Sequence, residues 1–403
     1  MKKAHQVLII IAASIILFPC VPIAQTENED FDFLLLLTQQ DIEMNWWFSV
    51  PAQFRPKVSP ISEVTKGEFF KILPIFNHYG TKSQNEVKIT YDVEIINPDG
   101  NVDESMKNVT GFQGPAPGPY LLPSLGMLAV SFDPEDPYGE YTVNVSAYDH
   151  VKKQKAKKTR QVILKKFDIN KLEGNLESWY FTYPTRPEPS LALTNFINSP
   201  RPYINDKGNP LWSTLWLYKQ IYSENEFLVP HTVEFYKTKA TRQQQKDIIL
   251  LFHLLNKLKK LPLNSEFDGY IKKLKKLRVP NPYEEIETGD QLDMLWAEFF
   301  ATSRVKPIRQ ILTALNLGTH VGTLEKVKSG ELTKSPEIQK KATLEAVFQS
   351  ALWSVMSNCK QSPLLFQYCM GLYESDQLNE MEKGCLGAML RKVSEEKQKN
   401  SNQ

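Results

Sequence analysis

The chain opens on an uncharged, largely apolar stretch, Val7 to Phe18, preceded by Lys2 and Lys3 and followed by Pro22-Ile23-Ala24. A positive start, a short apolar core and small residues beyond it make up a secretory signal peptide, assigned here to residues 1–24. The core is about a dozen residues, short of the ~20 that span a bilayer as a helix, and Pro19 and Pro22 break any helical extension. An uncleaved membrane anchor, or a lipid on Cys20, is the alternative. Glu27 to Asp32 is acidic and leads into Phe33-Leu34-Leu35-Leu36-Leu37, with Trp46, Trp47 and Phe48 soon after. Residues 25–57 read as a linker and packing segment laid against a domain, with a membrane or partner contact as the alternative.

From Val58 to Phe167 the pattern is that of strands. Phe69 to Phe76 reads as a buried strand, and Val87 to Ile95 alternates apolar and polar residues with period two. Asn97-Pro98-Asp99-Gly100 supplies a turn. Tyr141 to Tyr148 alternates again, and a basic hairpin tip, Lys152 to Arg160, separates it from Val162-Ile163-Leu164. These short strands predict an antiparallel β-sandwich over residues 58–167.

After Phe167 the period changes to that of helices, over residues 168–396. Leu211, Leu215, Trp216 and Tyr218 recur at helical spacing. Ile248, Leu251, Phe252, Leu255 and Leu258 form a core-facing stripe. Gly289 to Gly318 reads as two helices, the first capped by Asp290, the second starting near Pro307 and closed by Gly318. Ser335-Pro336-Glu337 and Ser362-Pro363 each pair a capping serine with proline at the first helical position. The last helix is predicted from Asp376 to Val393, with residues 397–403 a disordered tail. No fixed repeat is present, so the expected architecture is an irregular α-helical array.

Two resemblances follow from these residues. Asp136-Pro137-Tyr138-Gly139-Glu140-Tyr141, entering the strand Thr142-Val143-Asn144-Val145, resembles the tyrosine corner of immunoglobulin-like domains. Val143 stands where antibody domains carry their second cysteine, so no inter-sheet disulfide is implied. The resemblance implies an immunoglobulin-like sandwich, a fold that serves as spacer or binding module. In the helical part, the stretch Asp290-Gln291-Leu292-Asp293-Met294-Leu295-Trp296-Ala297-Glu298-Phe299-Phe300-Ala301-Thr302, with Leu352-Trp353-Ser354-Val355-Met356-Ser357-Asn358, resembles uncharacterised exported bacterial proteins with helical C-terminal domains that carry D-x-L-W-x-x-F-x-A-T and W-S-x-x-S-N phrases. That resemblance implies no activity.

Composition narrows the function. The chain carries 48 basic and 46 acidic side chains. Lys2 and Lys3 are the only charges before Ala24, so removing the signal leaves 46 of each and no general attraction to nucleic acid. Lys257 to Arg278 gathers eight Lys and Arg against Glu266 and Asp268, and Lys272, Lys273, Lys275 and Lys276 form a candidate partner surface or peripheral membrane contact.

No H-E-x-x-H, G-x-S-x-G or phosphate-binding glycine motif is written in the chain. His5, His78, His150, His231, His253 and His320 show no metal-ligand spacing, so no catalytic, cofactor or metal residue is assigned. His253 lies in an apolar run and reads as a helix-seam histidine, with a buried base as the alternative. Asp133, Glu135 and Asp136 read as a rigid turn, with calcium ligation as the alternative. Asp293 and Glu298, five apart, point in different directions on a helix, which weakens a paired-carboxylate reading.

Cleavage of the signal leaves Cys359, Cys369 and Cys385. In an oxidising compartment three cysteines allow one disulfide and one leftover thiol. A hairpin bent around Glu374 to Asp376 favours Cys369–Cys385, with Cys359 free or otherwise paired. The expectation is an exported, periplasmic or secreted, non-enzymatic envelope protein that binds or scaffolds a protein partner without a cofactor. An envelope hydrolase with a dispersed site, or a secreted factor acting on another cell, is the alternative.

Overall fold

The computed structural model describes residues 8–11, 29–40, 57–116, 121–170, 176–199, 203–204, 209–332 and 335–401. The protein is mixed α and β. Contacts divide it into a sheet unit, chiefly Val58–Lys171, and a helical unit, chiefly Ala192–Gln403; Leu172–Thr185 joins the helical unit and Arg186–Leu191 the sheet unit.

Among the described residues ten strands build two sheets: β1 (Leu8–Ile11), β2 (Asp32–Thr38), β3 (Glu63–Thr65), β4 (Phe70–Asn77), β5 (Glu86–Ile96), β6 (Val102–Pro115), β7 (Leu122–Pro123), β8 (Gly126–Val130), β9 (Gly139–Asp149) and β10 (Gln154–Lys165). The first sheet runs β1-β8-β4-β2, with β7 also paired to β4; the second runs β3-β10-β9-β5-β6. Every pairing is antiparallel except β10 with β3.

The alternation read from the sequence is the burial pattern of the strands. Val87, Ile89, Tyr91, Val93 and Ile95 of β5 are buried, as are Tyr141, Val143, Val145 and Ala147 of β9. The two sheets approach closely. A Cβ on Gly111 of β6 would stand 2.7 Å from the Phe76 ring of β4, so this position tolerates only glycine without a shift.

Several expectations change here. The apolar run Phe33 to Leu37 lies within β2, paired residue for residue with β4, so the sheet begins well before residue 58. Phe33, Leu35 and Leu37 are buried while Leu34 is 42% exposed, the alternation of a sheet strand rather than of a membrane contact. Trp46, Trp47 and Phe48 lie outside the described residues. β1 falls within the segment the sequence assigns to the export signal and pairs Leu8 with Ala129 through Ile11 with Gly126. The basic hairpin tip is shorter than expected. The turn closes by Lys153, and Lys155, Lys157, Lys158 and Arg160 belong to β10. Missing from the sequence reading were the short strands β3, β7 and β8, and β6, whose mostly exposed residues show no apolar alternation.

Among the described residues twelve α-helices follow: α1 (Leu176–Thr182), α2 (Ala192–Ile197), α3 (Trp212–Glu224), α4 (Leu228–Thr238), α5 (Arg242–Leu254), α6 (Asp268–Leu274), α7 (Gly289–Thr302), α8 (Val305–Thr313), α9 (Thr323–Ser329), α10 (Pro336–Gln361), α11 (Pro363–Glu374) and α12 (Glu380–Ser401). Ser335 and Ser362 cap α10 and α11, accepting from the backbone N–H of Ile338 and Leu365 at 3.2 Å each. α7 is capped by Thr288 in a capping box with Gln291, not by Asp290, which sits one turn-position inside the helix. Gly318 is not a helix stop. It lies within a 3-10 segment, Ala314–His320, with the Phe348 ring 3.1 Å from where a Cβ would be. The last helix continues to Ser401, well past the tail boundary expected at 397. No described helix is long and apolar enough to cross a membrane.

Candidate functional site

Helix α7 is the hub of the helical unit, and its two flanks carry different chemistry. One flank is polar. Glu298 accepts hydrogen bonds from Trp216 Nε1 at 2.9 Å, Gln220 Nε2 at 3.3 Å and the Tyr283 hydroxyl at 2.5 Å. Lys219 lies beside it with its ammonium 3.6 Å from the Trp216 ring centre. Burial lowers the Lys219 pKa, and the Glu298 carboxylate opposes that shift. Burial and the bond to Glu298 together raise the Tyr283 pKa, so this phenol stays a donor. With two oxygens serving three donors from α3 and the segment before α7, Glu298 ties three pieces of chain together.

The opposite flank is aromatic. Trp296 and Phe300 of α7 lie 6.2 Å apart, and Phe300 meets Tyr180 at 4.7 Å and Phe181 at 5.5 Å, both on α1. Trp296 donates its indole N–H to Ser354 Oγ of α10 at 3.1 Å. The two phrases singled out in the sequence thus meet in the fold, through the tryptophan of one and the first serine of the other. Phe181 is 56% exposed, and Trp353, next to Ser354, is 68% exposed. Asp293 lies at this surface. Burial and neighbouring Asp290 raise its pKa, while Asp293 in turn adds to the burial that raises the Tyr180 pKa. Asp293 and Glu298 therefore keep separate company, as their spacing on the helix requires.

The other candidates have local explanations. Lys272, Lys273, Lys275 and Lys276 are all exposed, at and just beyond the end of α6, where cations suit the helix dipole. Asp136 Oδ2 accepts from the backbone N–H of Asp133 at 2.6 Å, closing the turn for which calcium was the alternative. Among the described residues no group of three or more His, Cys, Asp or Glu is placed to hold a metal. His253 is half-buried on α5, where burial lowers its pKa. Cys359, Cys369 and Cys385 are all thiols.

Sequence reasoning missed the exposure of Trp353, although the signal was available. On α10 the buried residues Leu344, Phe348, Ala351, Val355 and Cys359 recur every three or four positions, and Trp353 falls outside that stripe. Trp216, Lys219 and Gln220 as neighbours of Glu298 left no such trace, since some eighty residues separate them in the chain.

No family model and no curated protein matches this chain. Among solved structures, a family 123 glycoside hydrolase from Clostridium perfringens, studied for glycolipid glycan hydrolysis, is similar at 8% identity and a TM-score of 0.23. The match spans 34% of this chain and 28% of that one, a likeness too slight to carry either fold or activity.

Proposed function

We propose that this chain is an exported envelope protein that binds a protein partner through the aromatic surface of its helical unit, with an immunoglobulin-like sandwich as spacer or second binding module. The observation that carries the reading is the exposure of Phe181, packed on Phe300, and of Trp353, next in the chain to the Ser354 that binds Trp296. Large exposed aromatics set on rigid helices supply contact area at little conformational cost and are the residues most often dominant in interfaces. Export rests on the signal at residues 1–24, which would deliver the mature chain to the periplasm or beyond. The sandwich reading draws on the tyrosine corner, where the Tyr141 hydroxyl donates to the Pro137 carbonyl at 3.0 Å.

The test is mild crosslinking in the native envelope, followed by purification and mass spectrometry of the partners. One crosslinked protein should dominate. The double variant Phe181→Ala/Trp353→Ala, with unchanged circular dichroism, should weaken its capture by at least about tenfold. Equal capture by the variant would remove the aromatic surface from the reading. Recovery of no partner, together with turnover of an envelope substrate, would replace binding with catalysis. Replacing Lys272, Lys273, Lys275 and Lys276 with Gln separates a contribution from the basic surface.

A further inference from the structure

We infer that Cys359 and Cys369 are joined by a disulfide in the exported protein, with Cys385 left as a thiol. Cys359 lies in the last turn of α10 and Cys369 in the second turn of α11; the corner between the helices is a single residue, Ser362. The two side chains are 1% and 0% exposed, and they face each other across that corner closely enough that Cys359, together with burial, raises the Cys369 pKa. Two thiols on consecutive helices joined by a single-residue corner can reach bonding geometry by side-chain rotation and a small helix shift, with no long loop to rearrange. Cys385 is half-buried on α12. The partner the fold gives Cys369 is therefore Cys359, not the Cys385 that a hairpin around Glu374 to Asp376 suggests from sequence.

The oxidant is a disulfide, either a small molecule such as oxidised glutathione or a disulfide-bearing oxidase. Cys359 loses its proton and attacks one sulfur of that disulfide, releasing one thiolate and forming a mixed disulfide. Cys369, deprotonated in turn, attacks Cys359 Sγ and releases the second thiolate. Two protein thiols and one external disulfide become one protein disulfide and two external thiols.

The inference rests on export for its oxidising compartment, and the test keeps the two ideas apart. Trypsin cuts after Lys341, Lys360, Lys383 and Arg391, so the three cysteines fall on three separate peptides. Full-length protein purified from the envelope without reductant is denatured, alkylated with iodoacetamide and digested. The expected result is a linked pair of peptides, 342–360 with 361–383, and an alkylated Cys385. Alkylation of all three in protein whose signal has been removed overturns the inference, as does a linked Cys369–Cys385 pair. If the signal is found uncleaved and the protein in the cytoplasm, the export reading fails instead. Titration of the reduced protein with oxidised glutathione then decides the pairing alone. There the 359–369 link should form first in wild type and in Cys385→Ser, and its failure to form overturns the inference.

Discussion

The two units bury carboxylates in different ways. In the sheet unit a buried carboxylate closes a turn beside it in the chain and takes one remote partner. Glu68 accepts from the backbone N–H and hydroxyl of Thr65 and from Gln39 at 2.8 Å; Asp149 accepts from the N–H groups of Val151 and Lys152 and from that of Gly80 at 2.6 Å. In the helical unit most partners are remote, beside one local bond each, from the Asn379 N–H to Glu382 and from Gln349 to Glu345. Glu382 binds Asn316 at 3.0 Å and Arg309 at 3.2 Å, and Glu345 holds the N–H groups of Gly322 and Leu324 from some twenty residues away. Strands in a sheet are already tied laterally by their ladders, so side chains are needed mainly at the turns. Helices satisfy their backbones internally, and whatever fixes one helix against another must come from side chains.

The sharpest test of that contrast replaces one buried glutamate with glutamine in each unit. Glu382→Gln leaves Arg309 facing a neutral amide and should cost about 3 kcal/mol in chemical denaturation. Glu68→Gln should cost under about 1 kcal/mol, because burial raises the Glu68 pKa and the site already disfavours a charge. Equal losses at the two positions would break the comparison.

Asp247 on α5 tests it from the other side: its remote partner is a backbone N–H of Tyr203, and burial outweighs that bond, the one from Gln243 and the nearby charge of Lys246. Burial raises its pKa from 3.8 to about 6, so the folded state holds this proton more tightly than the unfolded chain. The stability it contributes is complete below pH 3.8 and is lost as pH rises through about 6. Asp247→Asn should therefore stabilise the protein at pH 7 by about 2 kcal/mol and flatten its stability profile between those values. A variant less stable than wild type at pH 7 would show that the carboxylate is held by bonds stronger than its desolvation.

Smaller effects are expected where single hydroxyls carry the tie. Tyr141→Phe removes the bond to Pro137 at a fully buried ring and should cost about 1.5 kcal/mol, confined to unfolding of the sheet unit. Ser354→Ala removes the acceptor of Trp296 at a half-exposed site where water can substitute. A loss of about 0.5 kcal/mol is expected there, read as a shift in the tryptophan fluorescence as well as in the midpoint.

This difference also explains what could be read from the chain. Alternation predicted β5 and β9 because one side of each strand is buried, and it missed β6 because neither side of that strand is consistently buried. Ser335 and Ser362 were legible as caps because a cap acts within three residues. Asp290 was a misplaced cap because Thr288 and Gln291 together satisfy two backbone N–H groups where a lone aspartate satisfies one. The aromatic site was half legible: its two phrases stood out as wording, while their meeting through Trp296 and Ser354 depended on how α7 crosses α10. Nothing local announces that Glu298 serves α3, or that Cys359 faces Cys369.

Ser303 brings both kinds of constraint to one position. It ends α7 in the left-handed region, φ 56°, where a side chain is disfavoured. Yet its hydroxyl donates to the Pro184 carbonyl at 2.8 Å, and its own carbonyl accepts from the Tyr368 hydroxyl at 2.8 Å. Glycine would relax the backbone by about 1 kcal/mol and forfeit a buried hydrogen bond of about the same worth. Alanine would keep the strain and lose the bond. Drift to glycine is thus close to neutral, while an apolar side chain at this position leads downhill in stability.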